Sequence, residues 1–147
     1  MKLFTTALSV CLLLFHLNSA QAEDNWLTLV GDPKDPTADY IQLNPTGFLR
    51  EKNIRTVPVR VSRVLARTSK EGIIFRSFEG LAAVDCKSRS ARILQASFYS
   101  ESNFEGTPFR SEVFRPDDVR PLAFREVSGK PTQRVVRAAC NTRIASN

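Results

Sequence analysis

The residues with chemistry to offer in this sequence are Cys86 and Cys140, the neighbouring carboxylates Asp117 and Asp118, and four Phe-Arg steps at 75–76, 109–110, 114–115 and 124–125. In an oxidising compartment an isolated cysteine pair reads as a disulfide, whereas a metal site wants four ligands or a histidine partner. A bridge from Cys86 to Cys140 closes a long loop, worth about 4 kcal/mol in the chain-entropy description. On strands, each Phe-Arg step puts a ring inward and a guanidinium outward. Arg76, Arg89, Arg92 and Arg110 are therefore the candidates for a basic patch that meets an anionic ligand, against the plainer reading of a solvated arginine face. Asp117 and Asp118 sit between Arg115 and Arg120 in a proline-bounded loop, which favours salt-bridged turn residues over metal or acid/base work. Asp85, beside Cys86, should point to the opposite face, toward an arginine.

The compartment follows from the first residues. Met1 to Ala22 has the anatomy of an export signal: Lys2 at the positive end, the apolar run LSVCLLLFHL from Leu8 to Leu17, and the small residues of Ala20-Gln21-Ala22. The run is shorter than the roughly 18 to 20 apolar residues a membrane-spanning helix needs. Cys11 follows Leu8-Ser9-Val10, but lipid attachment there would leave LLLFHL on the mature end, so cleavage before Glu23 is the expectation. The single histidine, His16, leaves with the signal, as does Cys11. A Ser-His-Asp or Cys-His site is then impossible, and neither a phosphate-cradling glycine loop nor a G-x-S-x-G elbow occurs. No cofactor and no catalytic site are expected.

Of 147 residues, 23–147 suit one small domain with a single core. Loss of Lys2 takes the formal charge from +6 to +5, and arginine dominates that charge. A basic surface attracts polyanions, and export makes nucleic acid an improbable one. Lipopolysaccharide, sulfated glycans or acidic protein surfaces suit the compartment better.

These residues are carried by elements the sequence also marks. Asn25 to Val30 alternates as a first strand, GDPKDPTA is loop, and Asp39 to Leu43 alternates as a second strand before the turn Asn44-Pro45-Thr46-Gly47. A partner beginning near Phe48 passes through the polar REKN into the long segment Ile54 to Arg67, where Val57, Val59 and Val61 share a face. The apolar phase then shifts, which predicts a bulge near Ser62-Arg63. Pro58 predicts an edge there, or a free side toward solvent. Ile73 to Phe78 leads, through a kink at Glu79-Gly80, into the hairpin Leu81 to Tyr99, with Ala82, Val84 and Cys86 on one face and Leu94, Ala96 and Phe98 joining them. Phe109 to Phe114 adds a strand, and Arg115 to Pro121 reads as irregular. Pro131 to Asn141 reads as a helix with the stripe Val135, Val136, Ala139 and Cys140. The expected class is α+β: an antiparallel sheet of about five or six strands packed against one C-terminal helix and joined to it by the disulfide.

Several of these residues together resemble the bacterial surface-adhesin protein E family: Trp26, Tyr40-Ile41, Gly47, the FRS of Phe75 to Ser77, Val84-Asp85-Cys86, Arg89, Arg92, Tyr99, Phe124 before Val127-Ser128, and a cysteine in the last helix. The resemblance spans about Asn25 to Cys140. It implies an antiparallel sheet backed by a helix, on or near the bacterial envelope, with Cys86 and Cys140 as structural residues. It also implies adhesion to host matrix or plasma proteins. The chain departs from the family pattern at Gln42, where Asp is common, at Phe124, where Trp is frequent, and in having no lipobox.

The functional expectation is an exported envelope binding protein, adhesin-like, that engages another protein or an anionic glycan through a strand edge or basic face. A homodimer is compatible with the same edge. The alternatives are a periplasmic inhibitor or assembly factor, and a carboxylate-dependent hydrolase, which would need two close carboxylates with one raised pKa.

Overall fold

The computed structural model describes residues 25–47 and 49–141, so the expected export signal, Met1 to Ala22, lies outside the described residues. The elements are β1 (Leu27–Val30), β2 (Tyr40–Leu43), β3 (Leu49–Glu51), β4 (Ile54–Thr68), β5 (Ile74–Asp85), β6 (Ser90–Tyr99), β7 (Arg110–Val113), β8 (Arg120–Pro121) and α1 (Pro131–Cys140). Every pairing is antiparallel, in the order β1-β2-β4-β5-β6-β7, with β3 also on β4 and β8 also on β6. The class matches the sequence reading, but the strand count does not: there are eight rather than five or six. Both additions come from segments read as connectors. Leu49–Glu51 turns back on β4 at Lys52-Asn53, and Arg120–Pro121 lies against Arg92 and Ile93 of β6. Each shares one side of a long strand with another short strand, so two broken ladders look like fewer in sequence.

Pro58 marks one such break. The strand it occupies is interior, between β2 and β3 on one side and β5 on the other, which corrects the expectation of an edge. In a strand the nitrogen and oxygen of one residue face the same neighbour. Asn44 N–H donates to the Pro58 carbonyl at 3.0 Å, so the donorless nitrogen also faces the joint where the chain leaves β2 before entering β3. The one bond that Pro58 cannot donate thus falls just past the end of β2, where the ladder stops.

The predicted bulge in β4 is present: the register against β5 shifts between Ser62 and Arg67. Gly80 does not break β5. It lies flat against β6, where an added Cβ would sit 2.2 Å from the Gln95 carbonyl oxygen, so only glycine fits this approach. A further register shift follows at Leu81/Ala82: Ile93 stands opposite Ala82, so Ile93 rather than the expected Leu94 shares the core face with Ala82 and Val84. In β1 a shift between Thr28 and Val30 sends both Leu29 and Val30 to the core.

One face of the sheet holds the core. Ile41, Leu43, Val57, Val59, Val61, Ala82 and Val84 are buried against Val135, Val136, Ala138 and Ala139 of α1, with Leu122 and Phe124 beside them. Pro131 opens the helix, where its missing N–H is no loss. The disulfide Cys86–Cys140, with Cα atoms 5.5 Å apart, joins the last residue of α1 to the first residue beyond β5.

Candidate functional site

Among the described residues the opposite face of the sheet carries no α-helix, and strand register decides which residues line it. Alternation puts Pro58, Arg60 and Ser62 of β4 there, opposite Leu81, Glu79 and Ser77 of β5. Tyr40 and Gln42 of β2 and Ser97 and Tyr99 of β6 extend the same face to either side. Thr28, opposite Gln42, and the neighbouring Trp26 complete its β1 end.

At the centre stands Arg60. Its guanidinium carbon lies 4.1 Å from the Trp26 ring centroid and 4.8 Å from that of Phe104, close enough for cation–π attraction to both. Arg60 Nε donates to Gln42 Oε1 at 2.7 Å, and Gln42 Nε2 donates onward to Thr28 Oγ1 at 3.0 Å. The far side of the guanidinium group is 3.8 Å from Glu79, whose other carboxylate oxygen accepts the Tyr99 hydroxyl at 3.1 Å. Burial and the hydrogen bond to the Glu79 carboxylate raise the Tyr99 pKa, so the phenol stays neutral well beyond physiological pH. Burial is also the leading cause of a raised pKa at Tyr40.

The β6–β7 loop folds down onto this face. Asn103 N–H donates to Ser62 Oγ (2.9 Å), Phe104 N–H to Ser77 Oγ (3.1 Å), and Ser77 Oγ to the Glu101 carbonyl (2.6 Å). Tyr40 Oη donates to Asn103 Oδ1 at 2.9 Å. Asn103 and Phe104 both take positive φ, 56° and 61°, a conformation that disfavours a bulky residue such as Phe. These bonds hold the strained pair in place, and the Phe104 ring meets Tyr40 and Tyr99 edge-on. The result is a fixed aromatic and polar layer in which Tyr40, Gln42, Ser62, Ser77 and Tyr99 are buried, while Trp26, Arg60, Glu79 and Phe104 are half-buried and reach the solvent.

The four arginines expected to converge are spread out. Arg92 pairs with Ala83 and shares the open face, whereas Arg110 pairs with Phe98 and belongs to the helix side. Arg89 sits in the β5–β6 turn with φ 56°, and Arg76 lies near the other end of β5, roughly 30 Å away at about 3.3 Å per strand residue. Arg76 binds the Val64 carbonyl (2.8 Å) and faces Glu101 (3.4 Å), and Arg110 pairs with Glu112. Only Arg89 and Arg92 are near neighbours, at the hairpin tip. The ring-inward rule holds for Phe75 and Phe124, which are buried, and fails for Phe109, which is 52% exposed on the short outermost strand's approach. Arg115 pairs with Asp117 and Arg120 with Asp118, as the loop composition predicts. Asp85 instead caps its own turn, accepting the N–H groups of Lys87 and Ser88; bonds from Ser88 and Lys87 lower its pKa.

Sequence reasoning missed Gln42, Arg60, Glu79 and Phe104 as members of one surface. Their signal was the polar phase of each strand, Tyr40/Gln42, Arg60/Ser62, Ser77/Glu79 and Ser97/Tyr99, which alternates with the apolar one.

An antiparallel sheet with one face stapled to a helix and the other carrying ordered aromatic and charged groups defines a small disulfide-bonded α+β domain. Its family can be stated directly: the family model for Surface-adhesin protein E matches residues 26–141, most of the chain, and the protein belongs to that family. No curated protein and no solved structure matches it. Among the described residues no helix is long and apolar enough to cross a membrane, and no cluster of His, Cys, Asp and Glu is placed to hold a metal ion.

Proposed function

We propose that this chain is an exported bacterial envelope protein that binds another protein, of host matrix or plasma origin, through the helix-free face, without catalysis. The observation that carries the reading is Arg60, set against Trp26 and Phe104 and held by Gln42, with the Tyr99–Glu79 pair beside it. Trp, Tyr and Arg are the residue types that concentrate binding energy at interfaces, and groups already fixed lose little entropy on association. The β7 end of the sheet adds an unpaired strand edge among the described residues, with Val113 78% exposed and Phe109 beside it, where a partner segment can extend the ladder. Membership of a surface-adhesin family supports the same reading.

The test is binding of the disulfide-intact protein to immobilised matrix and plasma proteins. Trp26→Ala and Arg60→Ala should each weaken capture by about tenfold or more, the size expected of central interface residues. Capture unchanged in both variants would reject this face. Protease shaving of intact cells separates surface display from a periplasmic inhibitor or assembly factor, since only a displayed domain is cut.

Arg89 and Arg92 favour a second contact, with an anionic glycan or lipopolysaccharide, because neither has an ion-pair partner among the described residues. Reversal of both to Glu should lower heparin retention and its salt dependence. Retention that does not change would remove them from the binding surface.

A further inference from the structure

The helix is too short for the sheet it covers. Ten residues of α1 span about 15 Å at 1.5 Å per residue, whereas the twelve of β5 span roughly 40 Å. The helix packs over the valine-rich end, and a second apolar cluster, Ile73, Phe75, Ala96 and Phe98, lies beyond it with Phe78 and Phe114 alongside. Phe75, Phe78 and Phe98 meet in edge-on or tilted contacts 5.2–6.1 Å between centroids. The β4 bulge and the β4–β5 turn rise on one side of this cluster, and the segment after β7 rises on the other. Between them is a cleft of about 640 Å³, within the roughly 300–1,000 Å³ typical of ligand pockets.

Its walls are cationic. Arg63, Arg67, Lys70, Arg120 and Arg125 line it against only Glu71 and Glu126. Arg63 is paired with Asp39, Arg67 with Glu126 and Arg120 with Glu71. Lys70 and Arg125, one on each wall, have no ion-pair partner among the described residues. In addition, Arg63 Nε and Arg67 Nε are buried and make no hydrogen bond; Arg67 Nε stands 3.2 Å from Glu126 without the alignment for one. Buried donors without acceptors are uncommon and call for an explanation.

We propose that this cleft binds a single-chain anionic amphiphile, with the acyl chain on Phe75, Phe78 and Phe98 and the head between Lys70 and Arg125. The half-buried Phe78, Ile93 and Phe114, with the edges of the buried Phe75 and Phe98, supply area for the chain, and the uncompensated rim charge selects an anion over a neutral alcohol of the same length. The site lies on the helix side of the sheet, apart from Trp26 and Arg60.

Titration calorimetry of the disulfide-intact protein with laurate, lysophosphatidylglycerol and lauryl alcohol tests this. One equivalent of laurate or lysophosphatidylglycerol should bind, lauryl alcohol about tenfold or more weakly, and the tighter of the two anions assigns a carboxylate or a phosphate head. Lys70→Glu with Arg125→Glu should lower anion affinity by at least about tenfold, and Ala123→Trp, at an exposed position on the wall, should obstruct the cleft with the fold intact by circular dichroism. Arg60→Ala should leave amphiphile binding unchanged. Absence of binding by wild type, equal affinity for the alcohol, or indifference to both the charge reversal and Ala123→Trp would overturn the proposal. So would a dimer that Ala123→Trp dissociates, which would assign the cleft to a second copy of the chain.

Discussion

The two faces of this one sheet are made from the same strands and share almost no chemistry. Beneath α1 the helix side is hydrocarbon: Val57, Val59, Val61, Ala82 and Val84 are fully buried against Val135 and Val136. The open side is a hydrogen-bonded layer of Arg60, Gln42, Glu79, Tyr99, Ser62 and Ser77 under a loop. Burial of aliphatic groups is non-directional and supplies stability, whereas a paired polar layer supplies little of it net and a great deal of geometry. Strands of period two allow the division, since every second residue can be chosen for one purpose without disturbing the other.

Removal of the disulfide should widen the contrast most. Cys86 and Cys140 are separated by 54 residues, and the Cys86→Ser, Cys140→Ser variant should lose about 2–5 kcal/mol in urea unfolding, the span usual for a native bridge in a small exported domain. A loss under about 1 kcal/mol would mean that α1 is held by packing alone. Gly80→Ala comes next, because its Cβ would collide with the Gln95 carbonyl, and overpacking of this kind costs about 1–3 kcal/mol. Val135→Ala, which empties part of the helix contact, should cost about 2 kcal/mol by cavity formation. Arg60→Ala should cost about 1 kcal/mol while impairing protein capture, since its ion pair with Glu79 is long, at 3.8 Å, and a hydrogen bond such as that to Gln42 contributes about 1 kcal/mol net. Equal destabilisation by Val135→Ala and Arg60→Ala would erase the distinction between the faces.

The smallest effect is one of pH. The raised pKa values of Tyr40 and Tyr99 mean that the folded state binds the phenolic protons more tightly than the unfolded chain does. Their contribution is complete below the unfolded value of about 10 and is lost as pH rises through the higher folded values. Alkaline urea titrations should show falling stability above that point, with a shallower fall in Tyr99→Phe. An identical slope in the variant would remove Tyr99 from the account.

Much of the helix side was legible in the sequence. The valines of β4, the bulge after Ser62, the apolar stripe of the last helix and the cysteine pair all follow from periodicity and compartment, which are local or compositional signals. The open face was not legible, because it depends on register: Arg60 becomes important by standing opposite Glu79 and beside Gln42, and no local rule pairs those positions. The Phe-Arg repeats misled for the same reason. Alternation along a strand says that Arg92 and Arg110 point away from their neighbours, but the strand partners Ala83 and Phe98 decide that they point to opposite sides. Phe104 was hidden differently, since a bulky residue at φ 61° is held by tertiary bonds and leaves no propensity signal.

Pro58 has one more implication, for folding fidelity. Sliding β2 along β4 by two residues would keep every side chain on its proper face, so hydrophobic patterning alone cannot forbid that error. It would, however, bring a carbonyl of β2 against a nitrogen that has no hydrogen to offer. A donorless position at the joint of two short strands thus acts as a stop in the ladder, and it disfavours the slide that would bring Gln42 opposite Pro58, one of those the apolar pattern would tolerate.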